Sequence, residues 1–407
     1  MIEKKKRKPW VRPRHKVISV LARPIVALIA ALKYHAKIDR FSQEDGRNWL
    51  VLSNHQTDFD QFFISLAFHR PVYYVALEDL FSNGLISRLL EWAVAPIPIL
   101  KGSADAKAVM TCFRVAREGG NVGLFPEGNR TYSGKTCYIK PSVAALAKKL
   151  GLPIAIFRIE GGYGIKPRWA DNCRKGRMTA GVRRIIEPEE YKDLSKEELY
   201  DLICRELAVD ESQSDADYAS KRAAEHLERV LYVCPECGLS EFESAGDTVS
   251  CRRCRRPYRY RPNLKFLPPD GAKPFRAVTD WYDYQESFIR QLDLSPYTAV
   301  PLYTDTADVL EVIVLHHRQP LLKNAQIRLF ADRLELNGGS EQMTLAYDDI
   351  SAMTCVVGHK LNIFCGSHIY QFKGDPHFNA LKYCNIYYHA KFTKETHEDG
   401  EFQFLGL

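Results

Sequence analysis

His55 and Asp60 lie five positions apart in the segment Ser-Asn-His-Gln-Thr-Asp-Phe-Asp, residues 53–60. An imidazole can take a proton from an alcohol, and a carboxylate on its other ring nitrogen fixes the tautomer and stabilises the imidazolium. Five residues of a regular helix turn through about 140°, so the turn at residues 56–58 has to bring the pair together. His55 could instead be an ordinary loop histidine, and Asp60 a first-turn acid that favours the helix dipole.

A second polar motif, Phe-Pro-Glu-Gly-Asn-Arg, occupies residues 125–130. A loop with Glu127 and Arg130 can hold a phosphorylated substrate, because a guanidinium binds phosphate through two parallel hydrogen bonds. The two residues could also form a surface ion pair in a turn. Acyl transfer to a hydroxyl needs a base for the alcohol and a nearby carbonyl with donors for its oxyanion. The two motifs together fit that chemistry.

In this order the motifs resemble those of the glycerolipid acyltransferases, most closely the 1-acylglycerol-3-phosphate acyltransferase family. The resemblance covers about residues 33–210 and implies an α/β sheet flanked by helices. It also implies that His55 and Asp60 are catalytic and that residues 125–130 bind the glycerol phosphate. The segment Leu-Pro-Ile-Ala at residues 152–155 matches the proline motif that follows in the family.

Two positions depart from the family pattern. Thr131 stands where the family has serine, and Lys101 stands after the Ile-Pro-Ile strand where an arginine is expected. Lysine supplies positive charge to a phosphate but lacks the planar fork of arginine. The substrate-binding residues that the resemblance implies are therefore Glu127, Gly128, Arg130, Thr131 and Lys101.

Four of the eleven cysteines form two Cys-x-x-Cys pairs, Cys234 with Cys237 and Cys251 with Cys254. This spacing predicts a structural zinc ribbon, in which four thiolates close a tetrahedral Zn²⁺ site and leave no open position for chemistry. Two unrelated cysteine pairs are the alternative. The other seven cysteines are scattered, a pattern typical of a protein in the reducing cytosol.

Arginines are dense beside the second cysteine pair, with Tyr258 and Tyr260 between them. They are Arg252, Arg253, Arg255, Arg256, Arg259 and Arg261. Arginine and aromatic rings together can grip nucleic acid. They can equally bind anionic lipid headgroups or form a solvated face against a neighbouring domain, and the acyltransferase motifs favour these two readings over nucleic acid.

The resemblance implies transfer of a fatty acyl group from acyl-CoA or acyl-carrier protein to the free hydroxyl of 1-acyl-sn-glycerol-3-phosphate, which makes phosphatidate. The substrate alcohol itself attacks, so no serine or cysteine nucleophile is required. One alternative is the same chemistry on another lysolipid or on glycerol-3-phosphate. Another is a zinc-ribbon protein that binds nucleic acid or acts as a scaffold and carries a degenerate acyltransferase fold.

The net charge of +7 comes from the N-terminus, because residues 1–16 hold eight basic residues and one acid. Residues 17–34 that follow are apolar but are interrupted by Arg23 and Pro24. A spanning helix needs roughly 20 apolar residues, so we expect a helix on the surface of an anionic membrane, at the cytoplasmic face of the cell membrane. A secretory signal peptide and a buried core helix are the alternatives.

A chain of 407 residues should hold two or three domains. Alternating strands and helices predict the α/β domain, with Asp58 as N-cap of the helix after His55 and helical sequence at 195–229. Seven short alternating strands between residues 309 and 372, none of them at 317–325, and a helix capped at Asp375 resemble a pleckstrin-homology-like barrel. The predicted parts are an arm and membrane-surface helix (1–45), an acyltransferase domain (46–229), a zinc ribbon (230–262), a linker and helix (263–300), a β-rich domain (301–392) and a tail (393–407).

Overall fold

A computed structural model describes residues 8–81, 84–99, 106–267, 269–270, 275–313, 317–356 and 359–394. Its first part alternates strands and helices. They are α1 (Pro13–Tyr34), β1 (Ala36–Ile38), β2 (Leu50–Ser53), α2 (Asp60–Ala67), β3 (Val72–Leu77), α3 (Leu85–Val94), β4 (Ile97–Ile99), α4 (Ala106–Arg117), β5 (Asn121–Leu124), α5 (Ser142–Leu150), β6 (Ile154–Glu160), α6 (Gly162–Ile165), β7 (Met178–Ile186), α7 (Pro188–Tyr191) and α8 (Lys196–Leu207).

Seven of these strands form one sheet in the order β1-β7-β6-β2-β5-β3-β4. Neighbours are parallel except β6 and β7. All four residues of β2 are buried, as expected of a central strand covered by helices on both faces. The sheet is thus the predicted α/β sheet, and β2 and β5 lie side by side at its centre.

Two predicted helix boundaries in this part are wrong. The helix after His55 begins at Asp60 rather than after an Asp58 cap, because the Asp58 carboxylate accepts a hydrogen bond from the Tyr34 hydroxyl at 2.7 Å instead. α8 begins at a capping box formed by Ser195 and Glu198 but ends at Leu207. Beyond it the chain is largely irregular up to the ribbon.

The N-terminal helix α1 is continuous through Pro24, although Arg23 and Pro24 interrupt the apolar run of its sequence. The Arg23 guanidinium donates through Nη2 to the backbone carbonyls of Ser65 and Phe68. By length and composition alone α1 is long and apolar enough to cross a membrane, a test that a signal sequence also passes. Its apolar face is exposed, with Leu21 70% and Leu32 69% accessible, so the buried core helix is excluded.

The cysteine region folds as short strands followed by a helix. The elements are β8 (Val233–Cys234), β9 (Gly238–Leu239), β10 (Phe242–Ala245), β11 (Thr248–Cys251), β12 (Pro257–Tyr260), β13 (Phe266–Leu267) and α9 (Val278–Arg290). β8 pairs with β9, and β10 to β13 form a four-stranded antiparallel sheet. We call β8 to β13 the ribbon.

The last part is an antiparallel sheet closed by a helix, as predicted. It comprises β14 (Tyr303–Ile313), β15 (His317–Leu329), β16 (Arg333–Gly338), β17 (Glu341–Ala346), β18 (Ile350–Val356), β19 (Lys360–Cys365), β20 (His368–Gly374) and α10 (Ala380–Lys394). The order β17-β16-β15-β14-β20-β19-β18 makes a half-barrel. Asp375 is not the cap of α10, which begins at Ala380; its carboxylate accepts from the His377 backbone N–H.

Within the described residues five short 3₁₀ turns join these elements: Glu78–Phe81, Glu211–Gln213, Leu227–Arg229, Ser295–Thr298 and Tyr347–Asp349. One buried hydrophobic cluster runs from α1 through the ribbon to α10. Tyr303 of the half-barrel, for example, donates through its hydroxyl to the Tyr232 carbonyl at 2.6 Å. The predicted domain boundaries therefore stay a prediction, since the core does not stop at them.

Candidate active site

The two polar motifs meet at one edge of the central sheet. Residues 54–59 follow β2 and residues 125–131 follow β5, and these strands are parallel neighbours. Loops at the carboxyl ends of adjacent parallel strands lie together, where ligands of such sheets usually bind. Glu127 Oε1 accepts from the backbone N–H of His55 at 2.6 Å, and Thr131 N–H donates to the His55 carbonyl at 3.0 Å.

His55 and Asp60 form a hydrogen-bonded pair, with 2.8 Å between His55 Nδ1 and Asp60 Oδ2. Asp60 is 0% exposed. Its carboxylate also accepts from the backbone N–H of Gln56 at 2.6 Å, from that of Thr57 and from the Thr57 hydroxyl. The turn before α2 therefore brings the pair together in the way that the spacing requires. The catalytic role of the two residues stays a prediction.

The environment of His55 favours a neutral ring. Burial lowers the pKa of His55, the hydrogen bond and charge of Asp60 act in the opposite direction, and the positive charges of Arg130 and Arg168 lower it further. A carboxylate can only accept, so Nδ1 carries the proton and Nε2 keeps its lone pair. Nε2 makes no hydrogen bond to the residues that the structure describes. The ring stacks on Phe125 with centroids 4.3 Å apart.

Glu127 is a buried bridge between two backbone segments. Its Oε1 accepts from His55, and its Oε2 accepts from the backbone N–H of Cys137 at 2.7 Å. Burial raises the pKa of Glu127 to about 8, although these two donors act in the opposite direction. The geometry thus assigns Glu127 to positioning His55, and its contact with substrate remains a prediction.

Arg130 is the buried cation of the site, at 7% exposed. Burial lowers its pKa, Arg168 lowers it further, and Asp58 and Asp60 raise it. Its guanidinium has no ion-pair partner within the described ranges. A buried guanidinium that lacks such a partner is unfavourable by itself, so the position is suited to binding an anion.

Arg168 is a site residue that no sequence motif marks. It lies after α6, and its guanidinium donates to the Arg130 carbonyl at 2.9 Å and to the Cys355 carbonyl at 2.8 Å. It also covers the ring of Tyr132 at 4.2 Å. Arg168 thus links the loop after β5 to strand β18 of the half-barrel. Only the folded arrangement of distant segments brings these partners together.

Of the remaining predicted substrate-binding residues, Gly128 and Thr131 shape their own loop, and Lys101 is not among the described residues. Gly128 has φ of +72°, which explains the glycine in this turn. The Thr131 hydroxyl donates to the Lys135 carbonyl at 2.7 Å and accepts from the Gly134 N–H, so it closes its own loop. Lys101 lies outside the described residues.

The four ribbon cysteines converge on one point. One ligand atom from each of Cys234, Cys237, Cys251 and Cys254 lies within 4.8 Å of the others. Four clustered thiols with no competing ligand type fit a closed tetrahedral zinc site. Zinc would hold β8, β9 and β11 together there and would take no part in the acyl-transfer chemistry.

Four of the six arginines, Arg252, Arg255, Arg256 and Arg259, form ion pairs with acids of the ribbon. Arg255 pairs with Glu243 at 2.8 Å and Arg259 with Asp247 at 2.8 Å. The interleaved rings are buried, since Tyr258 and Tyr260 are core residues. Buried rings cannot stack on bases, so the geometry favours the structural reading of this stretch.

Comparison with known proteins shows which family the first part of this chain resembles. Residues 34–159 match the family model described as Acyltransferase. The chain carries an acyltransferase domain. None of the curated proteins matches it. Among solved structures, the crystal structure of the 1-acyl-sn-glycerophosphate (LPA) acyltransferase PlsC from Thermotoga maritima is 18% identical. The alignment of the two structures covers 47% of this chain and 78% of that chain, and its TM-score is 0.38.

Proposed function

We propose that this protein transfers a fatty acyl group from an acyl thioester to the free hydroxyl of 1-acyl-sn-glycerol-3-phosphate. The observation that carries the proposal is the pair of His55 and Asp60: a neutral imidazole, held on Nδ1 by a buried carboxylate, with Nε2 free of described partners. This is the arrangement of a general base. The acyltransferase domain at residues 34–159 supports the same reaction class.

The proposed reaction uses few protein groups. The acceptor hydroxyl gives its proton to His55 Nε2 while its oxygen attacks the thioester carbonyl carbon. The tetrahedral intermediate then collapses, the carbon–sulfur bond breaks, and the imidazolium returns the proton to the departing thiolate. Asp60 stabilises the imidazolium, and Glu127 keeps the histidine in place through its backbone N–H.

A cluster of cations supports a phosphorylated acceptor. Burial alone would raise the pKa of Asp58, but the Tyr34 hydroxyl and the charges of Arg130, Lys166 and Lys33 hold it below its usual value. Of these cations Arg130 also acts on His55, together with Arg168, so positive charge lies beside the pair of His55 and Asp60. Lys33 lies in the last turn of α1, so a phosphate bound there would lie next to that helix.

The exposed apolar faces of α1 and α3 support a membrane-embedded acceptor. The exposed side chains are Val17, Val20, Leu21, Ile25, Leu28 and Leu32 on α1, and Leu85, Ile86, Leu89, Trp92 and Val94 on α3. Arg14 joins the two helices, since its Nε donates to the Trp92 carbonyl at 3.0 Å. We place this surface on anionic lipid at the cytoplasmic face of the cell membrane, with acyl-CoA or acyl-carrier protein as donor.

The first test is turnover by the full chain on vesicles that contain lysophosphatidate, with an isotope-labelled acyl-CoA and mass spectrometry of the product. His55→Ala should lower kcat by about 10²–10⁴-fold, the usual contribution of a positioned base. His69→Ala is the matched control, because His69 is an exposed histidine of the same domain. If His55→Ala keeps more than about a tenth of the activity, His55 is not the base.

The acceptor is tested with Arg130→Lys, which keeps the charge and loses the planar fork. The KM for lysophosphatidate should rise while the KM for the acyl donor stays close to that of the unchanged protein. Glycerol-3-phosphate and lysophosphatidylcholine in the same assay separate the alternative acceptors. A rise in the KM for the donor alone would mean that the loop after β5 binds the thioester.

A further inference from the structure

Two histidines and a glutamate converge far from the catalytic pair, where the chain before the ribbon meets the half-barrel. His226 and Glu228 lie at the turn Leu227–Arg229, and His377 lies between β20 and α10. Glu228 Oε1 is 2.7 Å from His377 Nδ1 and 3.2 Å from His226 Nδ1. One ligand atom from each of the three side chains lies within 4.8 Å of the others.

His226 is fixed at both its backbone and its ring. It has φ of +70°, a conformation that residues other than glycine seldom adopt and that is frequent at functional sites. Its backbone N–H donates to the Ser244 hydroxyl at 2.8 Å, and its Nε2 is 3.1 Å from Asp171 Oδ2. A carboxylate on the far ring nitrogen is the usual way to orient a histidine that binds metal through the near one.

Glu228 is oriented on its other side as well. The Ser244 hydroxyl donates to Oε2, which leaves Oε1 facing the two imidazoles. The side chain is 3% exposed. A carboxylate that is this deeply buried is favourable only where hydrogen-bond donors or cations face its oxygens.

Two imidazoles and one carboxylate are the ligands of zinc-type ions, whereas Ca²⁺ and Mg²⁺ prefer oxygen ligands throughout. A cavity of about 580 Å³ adjoins Glu228 and His377 and also contacts Asp305, Asp308 and Lys382. We propose that His226, Glu228 and His377 form a second metal site, which takes a divalent transition ion such as Zn²⁺ and keeps one coordination position open to this cavity.

The proposed ion joins two parts of the chain that the cysteine site does not join. His226 and Glu228 come from the segment before the ribbon, and His377 comes from the loop that closes the half-barrel. A hydrogen bond of 2.7 Å from Arg229 Nε to the Pro376 carbonyl crosses the same junction. Metal binding would therefore stabilise the docking of the half-barrel on the rest of the molecule.

The test is the metal content of the full chain after dialysis against buffer with Zn²⁺, measured by elemental analysis. The unchanged protein should retain two zinc ions per chain and His377→Ala one. His377 has a 55% exposed side chain, so this variant should fold. The matched control is His368→Ala, which should retain two, because His368 is a 53% exposed half-barrel histidine that faces a single carboxylate, Glu311.

The absorption spectrum of bound Co²⁺ distinguishes the two metal sites. Co²⁺ at the cysteines gives intense thiolate charge-transfer bands, and Co²⁺ at the histidine site gives none, so His377→Ala should lose only the ion without such bands. A single ion per chain in the unchanged protein, or an equal content in His377→Ala, would overturn the proposal and leave the cluster as hydrogen bonds between the two histidine rings and the Glu228 carboxylate. Neither result bears on acyl transfer, which this experiment does not measure.

Discussion

At the scale of single residues, Asp60 has two separate effects on His55. It orients the ring through Nδ1 at 2.8 Å, and its charge raises the pKa of His55. Burial and the charges of Arg130 and Arg168 act in the opposite direction, and the result lies below the ordinary value of 6.5. The neutral ring is the form that accepts a proton, so the environment keeps the base active at pH values where a free histidine would be protonated.

This balance predicts the pH dependence of acyl transfer. With the unchanged protein, kcat/KM should rise with pH through an apparent pKa below 6.5. Asp60→Asn removes the charge that raises the pKa, so its rising limb should move to still lower pH while kcat falls by about 10²-fold or more. A pH–rate series on both proteins measures this, and a limb that moves upward in Asp60→Asn would contradict it.

At the scale of helices and strands, the sequence predicted those elements that are determined by a local pattern of residues. The sheet strands β2, β5 and β6 were recognisable from short apolar runs, the seven half-barrel strands from alternating apolar and polar residues, and the four cysteines from their spacing. The first half of β15 was missed, because His317 to Ala325 is largely polar and is a strand only through its pairing with β14. Arg168 was missed for the same reason, since its partners come from distant segments.

Helix α1 shows a different limit of sequence reasoning. Pro24 costs the helix one backbone donor, and this does not break it. The helix is also joined to the acyltransferase domain by polar contacts, such as His15 Nδ1 with the Tyr73 hydroxyl at 3.0 Å and the Tyr34 hydroxyl with Asp58. Removing residues 1–34 would therefore damage the catalytic domain as well as the proposed membrane surface. Substitutions on the exposed face avoid this problem.

The membrane surface is tested by replacing Leu21, Ile25, Leu28 and Leu32 together with serine. Co-sedimentation with anionic vesicles should fall, because buried apolar area supplies much of the binding of an interfacial helix. Binding that remains should be lost in high salt, which screens the basic residues. Activity on bilayer lysophosphatidate should fall more than activity on a short-chain, water-soluble acceptor. Unchanged co-sedimentation would place the anchor elsewhere, with α3 as the next candidate.

At the scale of the whole molecule, the ribbon and the catalytic domain share one core. Tyr260 of the ribbon lies 5.9 Å from the ring of Trp169, and the Arg174 guanidinium lies over both rings. Trp169 is the neighbour of Arg168, which links the loop after β5 to the half-barrel. A zinc ion at the four cysteines would thus stabilise the ribbon, and the ribbon is connected through packing to residues that surround His55 and Asp60.

This connection predicts what loss of the cysteine-bound zinc does. Cys254→Ser should remove the ion that shows thiolate charge-transfer bands with Co²⁺, because a structural site needs all four thiolates. Hydrogen exchange should then rise in residues 232–267 and also in residues 163–174, where Tyr260 packs. kcat should fall by much less than in His55→Ala, since no ribbon residue contacts His55 or Asp60 within the described part of the chain.

Cys204→Ser on α8, outside the cluster, is the control and should retain the ion and the exchange pattern of the unchanged protein. Faster exchange confined to the ribbon would mean that the shared core does not couple the two parts.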